Sequence, residues 1–249
     1  MNKFISKQSV AIWYALTALL ATFLLGQVIL FFFPDRSSLG ASLLFILMNL
    51  IPMIVAAVFS LVLSEVNSLG EFFKKVFLQK ESSLSWILAF FIPVIYYGIS
   101  ILLMNVRFTE NSLLAFFLYF PWTLLYGGLE EVGWRWFLQD HLSFSKHFIP
   151  KMMLLSIVWF LWHIPIYQLP WITAGSSNYL IFYLMILGNT FLFGALREYS
   201  KGAVPCILAH MLIDSMAVLM LVQSSLPQII FLVSFEILVA SWLVAARKS

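Results

Sequence analysis

Charged residues and cysteine are scarce in this sequence. Only 10% of its 249 residues carry a charge, whereas 62% are hydrophobic and the mean hydropathy is +0.98. A soluble domain of this length does not need so much apolar surface. The single cysteine, Cys206, excludes an internal disulfide. The 14 Lys and Arg residues leave a net charge of only +3 and form no basic patch, so we expect no nucleic-acid partner.

Several hydrolase motifs are also absent. The sequence has no Gly-x-Ser-x-Gly elbow and no paired intramembrane aspartates, so it does not indicate a serine hydrolase or an aspartyl intramembrane protease. It also lacks His-Glu-x-x-His, the helical signature of zinc proteases. Any hydrolytic chemistry must therefore depend on other residues.

The apolar residues form runs of roughly 18–25 residues, the length that crosses about 30 Å of hydrocarbon. We therefore predict an all-α, polytopic membrane protein embedded in the lipid bilayer, with one integral membrane domain over residues 1–249. The sequence predicts eight transmembrane helices, at Val10–Phe33, Ala41–Leu63, Trp86–Met104, Ser112–Leu129, Pro150–Leu169, Tyr179–Leu196, Ala203–Val222 and Pro227–Ala246.

Lys and Arg lie mostly on one side of these spans. With the N-terminus inside, only Arg36 and Arg107 fall outside. Cytoplasmic loops of membrane proteins carry an excess of such residues, so we predict that the N- and C-termini are both cytoplasmic. The expected location is the cell membrane, as a multi-pass protein of a bacterial plasma membrane. The cytoplasmic set is Lys3, Lys7, Lys74, Lys75, Lys80, Arg135, Lys146, Lys151, Arg197, Lys201, Arg247 and Lys248.

Two adjacent glutamates are the first candidates for chemistry, because ionisable side chains are costly in a bilayer. Glu130 and Glu131 follow the fourth predicted span near its inner boundary, and Arg135 comes four residues after Glu131. This spacing, with the acid first, favours an ion pair between Glu131 and Arg135. Glu130 then remains available as a base that acts on water. Alternatively, the two glutamates form a charged helix cap at the membrane interface.

Two later spans each carry a histidine. His163 lies four residues after Trp159 and is either a hydrogen-bonded packing residue or a functional group. His210 and Asp214 lie one turn apart on one helix face. Asp214 either fixes the tautomer of His210, or the two side chains only form a hydrogen bond with each other where two helices meet. The two histidines are predicted to lie deeper in the membrane than the glutamates, which are near its inner boundary. The fourth helix must therefore bury its end, or the fifth must begin in the cytoplasm.

Other polar features have weaker signals. The segment Glu71–Leu78 mixes aromatic residues with lysines, and it either lies along the inner membrane surface or forms a short solvated helix. His141 and His147 are expected to be solvated in a cytoplasmic connection. Glu236 is the single acid of the last predicted span, and its candidate partners are Asn49, Asn105 and Asn189.

Three motifs in order resemble those of the CPBP family. They are Glu130-Glu131-x-x-x-Arg135, an aromatic residue four positions before His163, and His210-x-x-x-Asp214. This family comprises the type II CAAX prenyl endopeptidases and bacterial bacteriocin-processing or self-immunity (Abi) proteins. The resemblance covers about residues 112–222, which are expected to form the catalytic core.

The resemblance implies an intramembrane endopeptidase in which Glu130 and His163 activate a water molecule. The other acid and the arginine of the first motif would support Glu130, and the third motif would polarise the scissile carbonyl and stabilise the oxyanion. The resemblance also implies that no metal or other cofactor takes part. The expected catalytic residues are Glu130, Glu131, Arg135, His163, His210 and Asp214.

The sequence departs from the family pattern at two positions. Trp159 stands where phenylalanine is commoner, and we interpret this as a packing change. Asp214 stands where the prenyl-protein enzymes have asparagine, so it is either protonated or orients His210. One alternative remains open on residue types alone: Glu130, His163 and His210 are the ligand types of a three-ligand zinc site.

The leading functional hypothesis is hydrolysis of a peptide bond in a membrane-associated peptide or protein, near its C-terminus or in a leader peptide. The alternative is a non-catalytic membrane regulator or bacteriocin self-immunity protein that binds a regulatory membrane protein partner. A transporter is disfavoured, because the polar residues cluster in the second half of the chain and do not form a two-fold repeat.

Overall fold

The computed structural model describes residues 6–33, 38–103, 106–143, 147–172, 178–222 and 225–248. These residues form a polytopic all-α membrane fold with a two-stranded sheet as its one β element among them. The α-helices are α1 (Lys7–Phe32), α2 (Leu39–Val62), α3 (Leu69–Phe77), α4 (Ser83–Leu102), α5 (Leu113–Thr123), α6 (Phe148–Tyr167), α7 (Tyr179–Tyr199), α8 (Val204–Met216) and α9 (Leu226–Lys248).

Serine and asparagine side chains fix where several of these helices begin. The hydroxyl oxygens of Ser6, Ser38, Ser68 and Ser82 each accept a hydrogen bond from a backbone N–H in the first turn of α1, α2, α3 and α4. Asn178 caps α7 in the same way. Such side chains satisfy backbone donors that a helix leaves without a partner, and they explain why these apolar helices begin where they do.

The prediction of eight transmembrane helices needs a correction at the seventh. Among the described residues, seven helices are long and apolar enough to cross a membrane. The predicted span Ala203–Val222 instead holds the 13-residue helix α8 and a short strand, β2 (Met220–Val222). Thirteen helical residues extend about 20 Å, less than the hydrocarbon thickness. Apolar composition alone does not show where a helix gives way to a strand.

The short strand nevertheless carries the chain to the end of the bundle opposite the start of α8. Strand β2 pairs antiparallel with β1 (Val106–Phe108), the strand between α4 and α5, with Val106 opposite Val222. The Gln228 amide at the start of α9 donates a hydrogen bond to the Leu103 carbonyl, 2.9 Å away. The segment from α8 to β2 therefore connects the two ends of the bundle, as an eighth crossing would.

The start of α1 and the end of α9 lie at the other end of the bundle, here called the charged face. It is defined by Asp140, Arg197, Glu198 and Arg247. Arg197 pairs with Asp140 at 2.6 Å, and Arg247 pairs with Glu198 at 3.0 Å. Near the start of α1, the Gln8 side chain accepts a hydrogen bond from the Ser143 backbone, only three residues after Asp140. The first and last helices therefore begin and end on the same side.

The fourth predicted span, Ser112–Leu129, proves too short. The helix continues from Leu113 to Gln139 and contains two π-helical segments, π1 (Leu124–Gly128) and π2 (Val132–Gln139). The two glutamates lie between these segments and are buried inside the bundle. The fourth helix therefore buries its end, which was one of the two ways to reconcile the predicted depths.

Helix α3 packs against the bundle by one face. Phe72 and Val76 are buried in a cluster with Val132 of π2 and Ile207 of α8. The opposite face exposes apolar side chains such as Phe73, together with lysines. Helix α3 thus lies beneath the two elements that carry the first and third motifs.

Some sequence-based predictions lie outside the described residues. They concern Met104, the end of the third predicted span, and Asn105, a candidate partner of Glu236. The charge count also used Lys3, Arg36 and Lys146, which are likewise outside the described part of the chain.

Candidate active site

Glu130 is held by two tryptophans. Its Oε2 atom accepts hydrogen bonds from the indole nitrogens of Trp134, at 3.1 Å, and Trp159, at 3.0 Å. Its Oε1 atom accepts no hydrogen bond from the residues that the structure describes, and the side chain keeps a small exposed fraction of 3%. One carboxylate oxygen is thus fixed, and the other is left for a water molecule.

Glu131 connects the first motif to the third. Its Oε2 lies 3.0 Å from Arg135 Nε, and its Oε1 lies 2.9 Å from His210 Nδ1. Asp214, the expected partner of that ring, has its Oδ2 3.6 Å from Nε2, which is too long for a hydrogen bond. The carboxylate that orients His210 is therefore Glu131, and Asp214 lies near the opposite ring nitrogen.

This arrangement limits what His210 can do. Glu131 also pairs with Arg135, so its carboxylate acts as an acceptor and His210 Nδ1 carries a hydrogen. In the neutral ring, Nε2 would then be an acceptor only. An oxyanion can receive a hydrogen bond from Nε2 only when the ring is protonated, and Glu131 and Asp214 supply negative charge on both sides of such a ring.

The tautomer of His163 is fixed in the same way, with the hydrogen on Nδ1. Its Nδ1 lies 2.8 Å from the backbone carbonyl of Trp159. A carbonyl oxygen can only accept, so Nδ1 carries the hydrogen and Nε2 presents a lone pair in the neutral ring. The ring stacks on Tyr167 and meets Trp162 and Phe182 edge to face. His163 is thus held as a hydrogen-bond acceptor.

Trp159 brings the motifs together. Its indole ring lies 5.5 Å from the ring of His163 and 5.7 Å from that of His210, measured between centroids. The guanidinium carbon of Arg135 lies 4.5 Å above the same indole. With the hydrogen bond to Glu130, this one side chain contacts residues of all three motifs. The six residues predicted from the sequence therefore lie around one buried locus.

Two glycines that the sequence analysis did not single out allow this convergence. A Cβ atom at Gly127 would collide with Asp214 Oδ2 and lie 3.1 Å from His210 Nε2. One at Gly128 would lie 2.9 Å from Met211 of α8. The absence of side chains here lets the π1 backbone approach α8 closely. A Gly-Gly pair one residue before the glutamate motif was the available signal, and π-helical turns often occur at functional sites.

His141 is not solvated, contrary to the prediction. It is only 7% exposed, and its Nε2 lies 2.9 Å from Glu65 Oε1. The hydrogen bond from His141 holds the pKa of the Glu65 carboxyl below its usual range. Burial lowers the pKa of His141, but its bonds to Glu65 and to the Phe137 carbonyl outweigh burial and leave that pKa above its usual value. This pair lies at the end of π2, away from the motif residues.

Glu236 lies apart from the motif residues. It is fully buried in α9 against Gly188 of α7, where a Cβ atom would collide with its carboxylate. Among the described residues, neither carboxylate oxygen has a hydrogen-bond partner. Asn189 is adjacent to that contact, but its side-chain oxygen is also unpaired there, and the Asn49 amide donates to Phe45 instead.

The three candidate zinc ligands, Glu130, His163 and His210, each use one side-chain atom for a hydrogen bond within the protein. In the part of the chain that the structure describes, no group of three His, Cys, Asp or Glu side chains is arranged to hold a metal ion. One oxygen of Glu130 is occupied by two indole donors, and Nδ1 of both His163 and His210 is occupied by protein oxygens. A zinc ion would have to use the remaining Oε1 and Nε2 atoms.

Comparison with known proteins connects this locus to a family. Residues 112–216 match the family model described as type II CAAX prenyl endopeptidase Rce1-like. The matched region begins one residue before α5 and ends with α8, so it contains all three motifs. A search of curated proteins found no match. The matched family is one of membrane proteases, and the match over residues 112–216, less than half of the chain, supports the resemblance of the three motifs to the CPBP family.

Proposed function

We propose that this protein is an intramembrane endopeptidase that hydrolyses a peptide bond with a water activated by Glu130 and His163. The observation that carries this proposal is the unequal use of the Glu130 carboxylate. Oε2 is fixed by two indole N–H groups, and Oε1 remains available. His163, whose Nε2 is an acceptor, packs against the same Trp159 indole that bonds Glu130, so we propose that the two acceptors bind one nucleophilic water.

The proposed reaction proceeds in two proton transfers. Glu130 Oε1 takes a proton from water while the water oxygen bonds to the scissile carbonyl carbon, and His163 Nε2 accepts the second water hydrogen in a hydrogen bond. The tetrahedral intermediate then breaks its C–N bond, and the protonated Glu130 gives its proton to the leaving amine. The products are a carboxylic acid and an amine, and no oxidant or reductant is needed.

His210 supplies the oxyanion stabilisation in this proposal. As an imidazolium flanked by Glu131 and Asp214, it can donate from Nε2 to the developing negative charge. Arg135 does not contact the reacting atoms in this scheme, because it is fully buried and pairs with Glu131. The Asp214 side chain is 35% exposed, more than that of His210, so the proposed substrate approaches from the Asp214 side.

The substrate is proposed to be a membrane-associated peptide or protein, cleaved near its C-terminus or within a leader. Glu130 and His163 lie on helices long and apolar enough to cross a bilayer, so an unassociated soluble peptide would have to leave water to reach them. We propose that hydrolysis needs no metal ion, with zinc held by Glu130, His163 and His210 as the alternative.

The test is hydrolysis of membrane-associated peptides by the purified protein in lipid nanodiscs. Glu130→Gln is expected to abolish turnover, because an amide does not accept a proton from water. Glu110→Gln, an exposed change beyond β1, is the matched control and should leave the rate unchanged. A chelator should not reduce the activity.

Two outcomes would contradict this proposal. Full activity in Glu130→Gln would remove the glutamate mechanism, and a cellular phenotype that survives this change would favour the regulator hypothesis. Inactivation by chelator that added zinc reverses would instead make the three residues metal ligands.

A further inference from the structure

We propose that Trp159, assisted by Trp134, is a positioning residue that selects which oxygen of Glu130 acts as the base. The inference deepens the proposed function and depends on it for its catalytic consequence. It replaces the interpretation of Trp159 as a packing change, because phenylalanine at this position would lack the N–H group that reaches Glu130.

The geometry at the Glu130 carboxylate distinguishes its two oxygens. Both indole donors reach the same atom, Oε2, from different elements: Trp134 from π2 and Trp159 from α6. Two donors on one oxygen fix the rotation of the carboxylate plane, which a single donor would leave freer. They also occupy the lone pairs of Oε2, so Oε1 is the oxygen able to take a proton.

Trp159 has other contacts, which a phenylalanine at the same position would largely retain. The guanidinium of Arg135 lies over its ring, and the rings of His163 and His210 pack around it. The bond to His163 Nδ1 comes from the Trp159 backbone carbonyl and does not depend on the side chain. Trp159→Phe therefore removes mainly the hydrogen bond to Glu130.

Trp162, on the same helix, provides a matched control. Trp162 is 1% exposed, and its indole nitrogen has no hydrogen-bond partner among the residues that the structure describes. A buried indole in α6 thus does not need an acceptor in order to be accommodated. Trp162→Phe removes the same atoms from the same core without removing a hydrogen bond to Glu130.

The direct test is spectroscopic and does not require activity. The protein is labelled with ¹⁵N at its tryptophan indoles, and the nine expected indole signals are assigned by single Trp→Phe changes. Glu130→Gln should shift the signals of Trp134 and Trp159, because their acceptor changes from a carboxylate to an amide. The signal of the exposed Trp242 should not move. An unmoved Trp159 signal in Glu130→Gln would overturn the inference.

The kinetic test separates positioning from packing. Trp159→Phe is expected to lower kcat about 10- to 100-fold with KM within about twofold, the size of a lost hydrogen bond to a charged group. Trp162→Phe alters packing against His163 and Trp134 without removing a hydrogen bond to Glu130, so its loss of kcat should be clearly smaller than that of Trp159→Phe. Equal losses in the two variants would show that Trp159 acts only by packing.

The two tests also separate this inference from the proposed function. Indole signals that respond to Glu130→Gln in a protein without peptidase activity would support the positioning and contradict the proposed reaction. Peptidase activity with indole signals that do not respond would contradict the positioning alone. If Trp159→Phe fails to fold, the Glu130→Gln spectrum still decides, because it leaves every tryptophan in place.

Discussion

Glu131 shows how single residues in this protein serve two partners at once. It is fully buried, yet it lies within ion-pair distance of Arg135 on one side and His210 on the other. The Arg135 guanidinium has no other hydrogen-bond acceptor among the described residues, and the Trp159 ring covers its face. The Glu131 carboxylate therefore compensates the positive charge of the buried Arg135.

Glu131→Gln is expected to destabilise the protein by about 3–5 kcal/mol, because breaking a buried ion pair leaves an uncompensated charge. The measurement is thermal or denaturant unfolding in a mild detergent. Glu198→Gln removes a more exposed partner of Arg247 and should cost at most about 1 kcal/mol. Similar losses in the two variants would contradict the special role of the buried pair.

Gly127→Ala is expected to lower activity about 100-fold, because the new Cβ would push Asp214 and His210 away from π1. Gly98→Ala is the matched control, since a Cβ there meets nothing within 4 Å. The measurement is peptide hydrolysis by each purified variant. Activity of Gly127→Ala equal to that of Gly98→Ala would show that the close approach is not required.

At the scale of elements, the interrupted helix from Leu113 to Gln139 shapes the site. Its two π segments flank the turn that holds the glutamates. Its far end is tied to the loop after α2 by the bond between His141 and Glu65. The orientation of the catalytic turn thus depends on contacts at both ends of one long helix.

The His141–Glu65 pair predicts a pH-dependent contribution to stability. The raised pKa of His141 means that the contribution is full below about pH 6.5 and is lost as the pH rises through that pKa. The lowered pKa of Glu65 means that it is present above about pH 4.3 and is lost as the pH falls further. The pair should therefore stabilise most at about pH 5–6.

The test is the stability of Glu65→Gln relative to wild type at two pH values. The variant should be less stable by roughly 0.5–1 kcal/mol near pH 5.5, as for a partly exposed pair, and the difference should shrink towards zero near pH 9. Glu110→Gln corrects for the change in net charge. A difference of the same size at both pH values would contradict an ionic contact.

At the scale of the whole molecule, the structure has two distinct ends. The charged face carries the start of α1 and the end of α9, and the β1–β2 sheet lies at the other end. The segment from α8 to β2 connects these ends although α8 is too short to be a transmembrane helix by itself. The described residues thus hold seven helices long enough to cross a membrane, together with the shorter α8–β2 segment that connects the same two ends.

We predict that the charged face is cytoplasmic. Single cysteines introduced at Lys80 and Ser143 should be protected from a membrane-impermeant maleimide in intact cells, and cysteines at Asn111 and Ser225 should be labelled. All four positions are exposed, and the native Cys206 is buried, so it should not react. Protection at Ser225 with labelling at Ser143 would reverse the orientation.

The sequence by itself determined the class of the protein, and it indicated the six candidate residues and the resemblance that the family model over residues 112–216 supports. Apolar runs set the helices, because a bilayer demands long apolar spans, and the rarity of ionisable groups marked Glu130, His163 and His210. The short helix α8 and the burial of His141 could not be predicted, because apolar composition does not show which neighbours a segment meets.

Only the tertiary structure decided how the motif residues divide their roles. Residues more than 70 positions apart in the chain form the bond between Glu131 and His210, and no local spacing indicates it. The same applies to Trp159, whose indole reaches Glu130 across two elements. Hydrogen bonds between distant segments depend on how helices pack, and this is why the sequence identified the residues but the packing of α6 and α8 against π1 and π2 assigned their partners.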